Sequence, residues 1–488
     1  MEKIAYNTID GNLQQLDGGR LDVESIYSKE FIESLNKKAD QAKWTSDYIN
    51  EIYLYFLLNV IENAEAMRKN GIKKINIRIF RPSWTVFVAS SRAADIYINK
   101  NVAAAYQVTN LILLIGSFVL IMISSLVLPI WVLITRKGEE LSSYNNISLI
   151  RTSASYSKMR YLEEAKQTKF YFDDIIQGFS SGQSMYAHGN KYQRILLPVL
   201  IPYMVLKDCF SIIRDSRALL GRHQAGFVLS YYTKRVAHKC VFEYFLDIII
   251  KKNSPLVYYT GNKEDRFAVL ENRLCNKYGV KSVCIPHGIE YAFRVPAGLV
   301  GDKFYCTTSY AQQHLSNLYR NENKFIYNKD IAKKMFSRGQ PETTIEKIIF
   351  FPESREPAIN LSIIKELVGA GFSFSVKLHI KDNADNYKKY SDRFSYVDDF
   401  DFAISNKICL ARKSTVLVEA IYNNSIPVAV LTNPKDKAYV EFMFPSLRDS
   451  QIKRVYTFQD LLKQLNEIIN SKTSSKSSKS SNSIKEEH

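Results

Sequence analysis

Cysteine is scarce and unpaired in this 488-residue sequence: Cys209, Cys240, Cys275, Cys284, Cys306 and Cys409 lie far apart, with no CxxC pair, each among apolar neighbours. That spacing argues against a disulfide framework or a paired-cysteine zinc site and fits buried thiols in a reducing compartment. Paired Cys/His fingers and an aromatic RNP-like strand are also missing, and Lys and Arg are spread along the whole chain. Nucleic acid is therefore not expected as a partner. The opening stretch MEKIAYNTIDGNLQQLDGG is polar and charged, so it is expected to be neither a signal peptide nor a transit peptide. The last absence is local: between Lys100 and Arg136 no residue is charged.

What is present describes a folded protein of more than one domain. Hydrophobic residues make up 46% and charged residues 24%, and the chain is long enough for two cores plus an extra segment. The formal net charge of +17 asks for an anionic neighbour. With nucleic acid set aside, an anionic membrane surface and a phosphorylated substrate remain.

Within the uncharged stretch, Leu111 to Ile134 (LILLIGSFVLIMISSLVLPIWVLI) is long enough to cross a bilayer once. A hairpin bending around Gly116 or Ser124-Ser125 is the alternative. Basic residues flank it evenly, so they leave its orientation open. From about Arg151 to Lys252 the pattern is helical, aromatic and basic. There Ile195 to Leu206 (ILLPVLIPYMVL) suits either a membrane surface or a core.

After residue 253 short β-rich runs alternate with helical stretches, as in a parallel α/β sheet. Strands are expected at Pro255–Thr260, Ser282–Ile285 and Lys303–Thr307, with a helix over Lys263–Tyr278. A polar crossing follows at Tyr319–Pro341. A second unit then places strands at Lys347–Phe351, Ser373–Leu378, Lys407–Ala411 and Pro427–Leu431, with helices over Asn360–Val368 and Thr415–Asn423. The strand-like pieces Ile75–Phe80 and Thr85–Val88 are assigned to the first unit. The expected division is 1–100 (start of the first Rossmann-like domain), 101–252 (membrane segment and basic helical region), 253–335 (rest of that domain), 340–470 (nucleotide-binding Rossmann-like domain) and 471–488 (Ser/Lys tail, expected to be disordered).

In open parallel sheets ligands sit beyond the carboxyl ends of the strands, so polar residues just after a strand are the first candidates. Arg412, Lys413, Ser414 and Thr415 lie between a strand and a helix that carries Glu419, an arrangement suited to a phosphate. His379 follows SFSVKL directly, with Lys377 adding charge. His287, Gly288 and Glu290 follow SVCI, where an imidazole is placed for base catalysis or acceptor binding. Glu264 and Asp265 follow PLVYYT, and either carboxylate could deprotonate an acceptor hydroxyl. Asp399-Phe400-Asp401 matches a metal-binding DxD pattern but leads into a strand instead of leaving one, so no metal is expected.

The stretch YTGNKEDRFAVLENRLCNKYGVKSVCIPHGIEYAFR, with KLHIKD and LARKSTVLVEAI, resembles bacterial GT-B glycosyltransferases of capsule and lipopolysaccharide synthesis over roughly residues 253–435. It is most similar to the sialyltransferase and polysialyltransferase-like group, and more distantly to the glycerophosphate polymerases of teichoic-acid synthesis. The resemblance implies two Rossmann-like domains facing a cleft, with a helical membrane-associated insertion or anchor. It implies donor binding by His379, where Ile380 replaces the family's proline, and by Ser414 and Thr415, with His287 and Gly288 ending a strand of the first domain. Arg294, at the end of the quoted stretch, joins Gly288 and Glu290 on the acceptor side. The expected partners are a nucleotide-sugar donor, a glycan or glycolipid acceptor and an anionic membrane, at the cytoplasmic face of a bacterial inner membrane, with no cofactor required. The rivals are a CDP-linked polyol-phosphate transferase and a non-catalytic polysaccharide-assembly protein.

Overall fold

A computed structural model of the chain describes residues 3–7, 13–15, 26–76, 100–136, 138, 144–165, 168–175, 183–338, 347–354 and 356–482. These form two compact units. The first comprises residues 1–287, 291–306 and 312–328, and the second 288–290, 307–311 and 329–488.

The first unit holds two sheets. Strands β1 (Lys3–Asn7), β2 (Leu13–Gln15) and β3 (Ile72–Asn76) form a small one, with β1 antiparallel to β2 and parallel to β3. The main sheet contains β4 (Asn146–Ile150), β5 (Lys169–Phe172), β6 (Gln183–Ser184), β7 (Val257–Thr260), β8 (Lys281–Cys284), β9 (Lys303–Tyr305) and β10 (Phe325–Ile326). All its pairings are parallel, in the order β10-β9-β8-β7-β4-β5-β6. From β4 the chain builds outward to β5 and β6, then returns to β7 on the other side and builds toward β10. The order therefore reverses between β4 and β7, the switch point at which open α/β sheets leave a crevice.

The second unit repeats this plan with β11 (Ile348–Phe351), β12 (Phe374–Val376), β13 (Ser395–Tyr396), β14 (Ile408–Ala411), β15 (Ile426–Val430) and β16 (Lys453–Val455), all parallel, in the order β13-β12-β11-β14-β15-β16. Its switch point lies between β11 and β14. The central strands are short apolar runs, IIFF and ICLA, because both faces of a parallel sheet are covered. Ile348, Phe350, Leu410 and Val428 pack with Ile363, Ile364 and Leu367 of the helix Pro357–Gly369 into one core.

The two expected parallel α/β units are thus present, and each strand and helix expected between 253 and 431 is found within a few residues of its expected bounds. The expected make-up of the first domain is corrected. Its strands before residue 253 are β4, β5 and β6, inside the region read as helical; β3 belongs to the small sheet, and Thr85–Val88 lies outside the described residues. NISLI and KFYF are too brief for periodicity to separate them from the helical residues around them. All six cysteines are buried and free. The last helix, Phe458–Asn482, runs on into the Ser/Lys stretch expected to be disordered.

The uncharged stretch is one helix, Lys100–Thr135, with mean hydropathy 2.8 over its most apolar window and the length and composition to cross a membrane. It packs against the helices Ala225–Tyr231 and Leu197–Leu220 of its own unit. In the Ile195–Leu206 segment Leu197, Ile201 and Val205 are buried, as a core element requires, whereas Ile195, Leu196, Val199 and Tyr203 are exposed.

Candidate active site

Because all seven strands of the first sheet run the same way, the residues that follow β4, β5, β7 and β8 gather at one edge. They are Arg151, Asp173 with Asp174, the loop Gly261–Asp265, and His287. The loop after β7 is held close: a Cβ on Gly261 would lie 2.7 Å from Ser155 Cβ, and Asn262 Nδ2 donates to Glu271 at 3.0 Å.

The two carboxylates left open by the sequence have different surroundings. Asp265 caps the helix Arg266–Tyr278, accepting from Ala268 N at 2.8 Å, and pairs with Arg151 Nη1 at 2.9 Å. Burial works against its charge, but Arg151 and Arg266 outweigh burial and hold the carboxyl below its usual range. Asp265 is therefore fixed as an anion by structural duties. Glu264 keeps only a loose pairing with Lys263, at 3.6 Å, and its Oε2 has no hydrogen-bond partner. Burial pushes this carboxyl up to about 7, against the pull of Lys263, which is where a general base works best near neutral pH.

His287 is half-buried at the end of β8, and its Nδ1 lies 2.6 Å from Gly261 O. A carbonyl oxygen only accepts, so this bond assigns the proton to Nδ1 and leaves the lone pair on Nε2. Burial lowers the pKa of the imidazole, keeping it neutral. Glu264 and His287 are thus two proton acceptors beside the switch point of the first sheet.

Around them lies a buried polar shell absent from the sequence candidates. Asp173 accepts from Tyr186 Oη at 2.6 Å, lies 2.9 Å from His238 Nε2 and 3.4 Å from Arg151 Nε. Arg266 pairs with Glu51 at 2.8 Å, and Arg151 lies over the Phe267 ring at 3.3 Å. Arg151 and Asp173 carried the signal used for the other candidates, a polar residue just after a β-rich run. The sequence does not single them out, because NISLI and KFYF are too brief to stand apart from the helical residues around them.

Of the three residues expected on the acceptor side, Glu290 and Arg294 are engaged elsewhere and Gly288 has no close neighbour. Glu290 is fully buried in the second unit and accepts from Thr307 N at 2.7 Å, from Thr307 Oγ1 at 2.9 Å and from Ser446 Oγ. Arg294 is spent on the Leu318 carbonyl and on Asp40, at 2.9 and 2.7 Å; with Asp40, Tyr319 and Arg320 it lines a cavity of about 540 Å³. A Cβ on Gly288 would meet nothing within 4 Å, so no neighbour demands a glycine there.

In the second unit the strand ends at the switch point bring together Glu353, Glu356, Arg412, Lys413 and Ser414. Here an expectation fails. Arg412 is fully buried, donating to Asp436 at 2.5 and 2.9 Å and to Glu356 at 2.8 Å. Three carboxylate contacts occupy its guanidinium, so it braces the loop instead of meeting a phosphate. Burial opposes the charge of Glu356, but Arg412, Lys435 and Lys413 outweigh it and hold this carboxyl at about 2. Lys413 pairs with Asp436 at 2.9 Å and lies over the Tyr439 ring at 4.5 Å. Ser414 and Thr415 are partly exposed, and neither side chain caps the helix Val416–Ile421 strongly: Ser414 Oγ is 3.4 Å from Val416 N, and Thr415 makes no capping bond. Glu419 is mostly buried and pairs with Arg338 at 3.2 Å. His379 is exposed after β12, its Nδ1 accepting from Lys381 N at 3.1 Å, and Lys377 is half-buried beside it. Asp399, of the DxD pattern, is an N-cap, accepting from Asp401 N at 2.8 Å and Phe402 N at 3.1 Å.

No family model matches the sequence, and neither does any curated protein. Solved structures similar to it include the UDP-GlcNAc 2-epimerase of Methanocaldococcus jannaschii, covering 66% of this chain and 92% of its own at 12% identity with a TM-score of 0.38. The UDP-GlcNAc 2-epimerase of Neisseria meningitidis, bound to UDP-GlcNAc, covers 66% and 91% at 13% identity and 0.40. The wall teichoic acid polymerase TagF covers 74% and 87% at 12% identity and 0.34. At these scores the chemistry is left to the residues themselves.

Proposed function

We propose that this chain is a membrane-associated glycosyltransferase of the two-domain GT-B kind, moving a sugar from a nucleotide-activated donor onto a surface-polysaccharide or lipid-linked glycan acceptor at the cytoplasmic face of a bacterial inner membrane. The observation that carries the reading is the pair of proton acceptors at the first sheet's switch point: Glu264, raised to about 7, and His287, held neutral with its lone pair on Nε2. A transferase needs such a group to take the proton from the acceptor hydroxyl as its oxygen bonds to the anomeric carbon. The bond from that carbon to the donor phosphate breaks as the new one forms, and the nucleotide leaves with the electron pair.

The departing phosphate is assigned to the second unit, where Lys413, Ser414, Thr415, Lys377 and His379 offer cations and hydroxyls after β14 and β12. Arg412 is a positioning residue there. No cofactor enters this scheme. The long uncharged helix and the net charge of +17 support the membrane side of the reading.

The test is binding of a CMP, CDP, UDP and GDP panel to detergent-purified protein, beside a His379→Ala, Ser414→Ala double variant. Selective binding by the native chain, weakened at least tenfold in the variant, is the expected result. The resemblance to the sialyltransferase-like group makes CMP the first nucleotide to try. Absence of binding by all four overturns the donor site, and phosphodiester in the product reassigns the enzyme to polyol-phosphate transfer.

A further inference from the structure

The helix Lys100–Thr135 is apolar enough to span a bilayer, yet both of its ends are fastened to the same globular unit. Near its start, Asn110 Oδ1 accepts from Gly226 N at 2.8 Å, and Tyr106 packs against the Phe227 ring. The approach there is so close that a Cβ on Gly226 would lie 1.9 Å from Asn110 O. Just beyond its end, Arg136 pairs with Asp174 at 2.7 Å, next to the carboxyl end of β5, and its carbonyl accepts from Arg194. Between these anchors one stripe of the helix is buried along its whole length: Val102, Tyr106, Asn110, Ser117, Ile121, Ser125, Pro129 and Val132. The remaining faces are bare, with Ile112, Ile115, Val119, Ile123, Val127 and Ile134 all about half exposed or more.

The neighbouring helix Leu197–Leu220 runs antiparallel to it, since Arg194 meets Arg136 at one end and Gly226 meets Asn110 at the other. It bares an apolar side of its own, Val199, Tyr203 and Phe210, together with Tyr192, Ile195 and Leu196 just before it. Its inner side belongs to a water-soluble interior. Asp208 joins Lys239 at 3.1 Å, and Asp215 accepts from Thr45 and Ser46. A slab of hydrocarbon surrounding the first helix would also reach this neighbour, whose exposed Lys207, Arg214 and Arg217 would lose their hydration.

From this geometry we infer that the helix does not cross the membrane. It lies along it, sinking its bare apolar face, with that of its neighbour, into one leaflet while the unit behind stays in water. Length allows the in-plane placement: 36 residues rise about 54 Å, and although the apolar Leu111–Ile134 stretch alone could cross a core of about 30 Å, the two fastened ends oppose it. Charge agrees as well. Lys100, Lys191, Lys207, Arg214, Arg217 and Arg222 are exposed on or beside the two helices, suiting the occupant to be an anionic leaflet.

This inference rests on the membrane association proposed above, and the test separates the two. Lys100→Cys and Thr135→Cys place single thiols at the two ends, and the six native cysteines are buried and should stay silent. Each variant is labelled with a membrane-impermeant maleimide in sealed inside-out and right-side-out vesicles from a bacterial host. Both sites labelled in inside-out vesicles and neither in right-side-out ones is the expected result. Labelling of the two sites from opposite sides overturns the in-plane reading and leaves membrane association standing. As a second measurement, Val119→Asp with Ile123→Asp should weaken co-sedimentation with phosphatidylethanolamine/phosphatidylglycerol vesicles at least tenfold; failure of the native protein to sediment with them overturns both readings.

Discussion

The two units share a plan and differ in what they do with charge. Each has a parallel sheet whose order reverses once, between β4 and β7 or between β11 and β14, and each gathers polar residues at that reversal. At the first, the charges are incompletely matched: Asp265 is held by Arg151, while Glu264 and His287 are partly desolvated without a strong ion partner. At the second, Arg412 is saturated by Asp436 and Glu356, and the hydroxyls of Ser414 and Thr415 lie outside that locked framework. One topology thus leaves two weakly paired titratable groups in one unit and a fully paired arginine in the other. Pairing, more than the mere presence of charged residues, decides which of these groups keeps a titratable proton near neutral pH.

The comparison is broken most forcibly at Arg412. Arg412→Met leaves Asp436 buried without its main partner, and we expect a loss of about 3–5 kcal/mol in the second unit, measured by chemical unfolding. Weaker nucleotide binding with unchanged stability would instead return Arg412 to the phosphate.

Acid should strike both units and alkali mainly the first. Glu264 and Glu271 have carboxyls raised by burial to about 7 and about 8, so their contribution to stability is complete below about pH 4.5 and lost as pH rises through those values. Glu356, held at about 2, contributes above about pH 4.5 and loses its contribution as pH falls through about 2. Burial likewise opposes the charge of Asp47 in the first unit, but Lys239 and Arg273 hold it at about 2, so it behaves like Glu356. Thermal unfolding followed from pH 2 to 9 should therefore show both units weakening on the acid side and the first also on the alkaline side, each by a few kcal/mol. Glu271→Gln should flatten part of the alkaline loss.

Smaller changes sharpen the picture. Gly261→Ala drives a methyl against Ser155 and should cost about 1–3 kcal/mol while displacing the carbonyl that orients His287, seen as a changed imidazole titration by NMR. Asp399→Ala removes an N-cap and should cost about 1 kcal/mol, with no change in any dependence of activity on divalent metal.

Much of the second unit was legible in the sequence because its strands are unbroken apolar runs bounded by turn residues, such as KIIFF and KICLA. The same held for β7 and β8, which is why Glu264, Asp265 and His287 were found. The first half of the main sheet was not legible. NISLI and KFYF sit among aromatic, basic helices, and with them went Arg151 and Asp173. Charge state was illegible everywhere. Arg412 and Lys413 are neighbours of one type in the sequence, yet only tertiary packing makes the first a buried brace. Glu264 and Asp265 are likewise adjacent, and only the position of Arg151 and the start of the helix tell them apart.

In the proposed reaction Glu264 moves a proton and does not hold the donor. The direct measurement is nucleotide affinity and transfer rate for Glu264→Gln beside the native chain, using the nucleotide selected by the binding panel. The account predicts affinity within about twofold and a transfer rate lowered roughly 10²–10⁴-fold, with the acid limb near pH 7 lost from the remaining activity. Equal loss of affinity and rate, or a native rate with the acid limb intact, contradicts it.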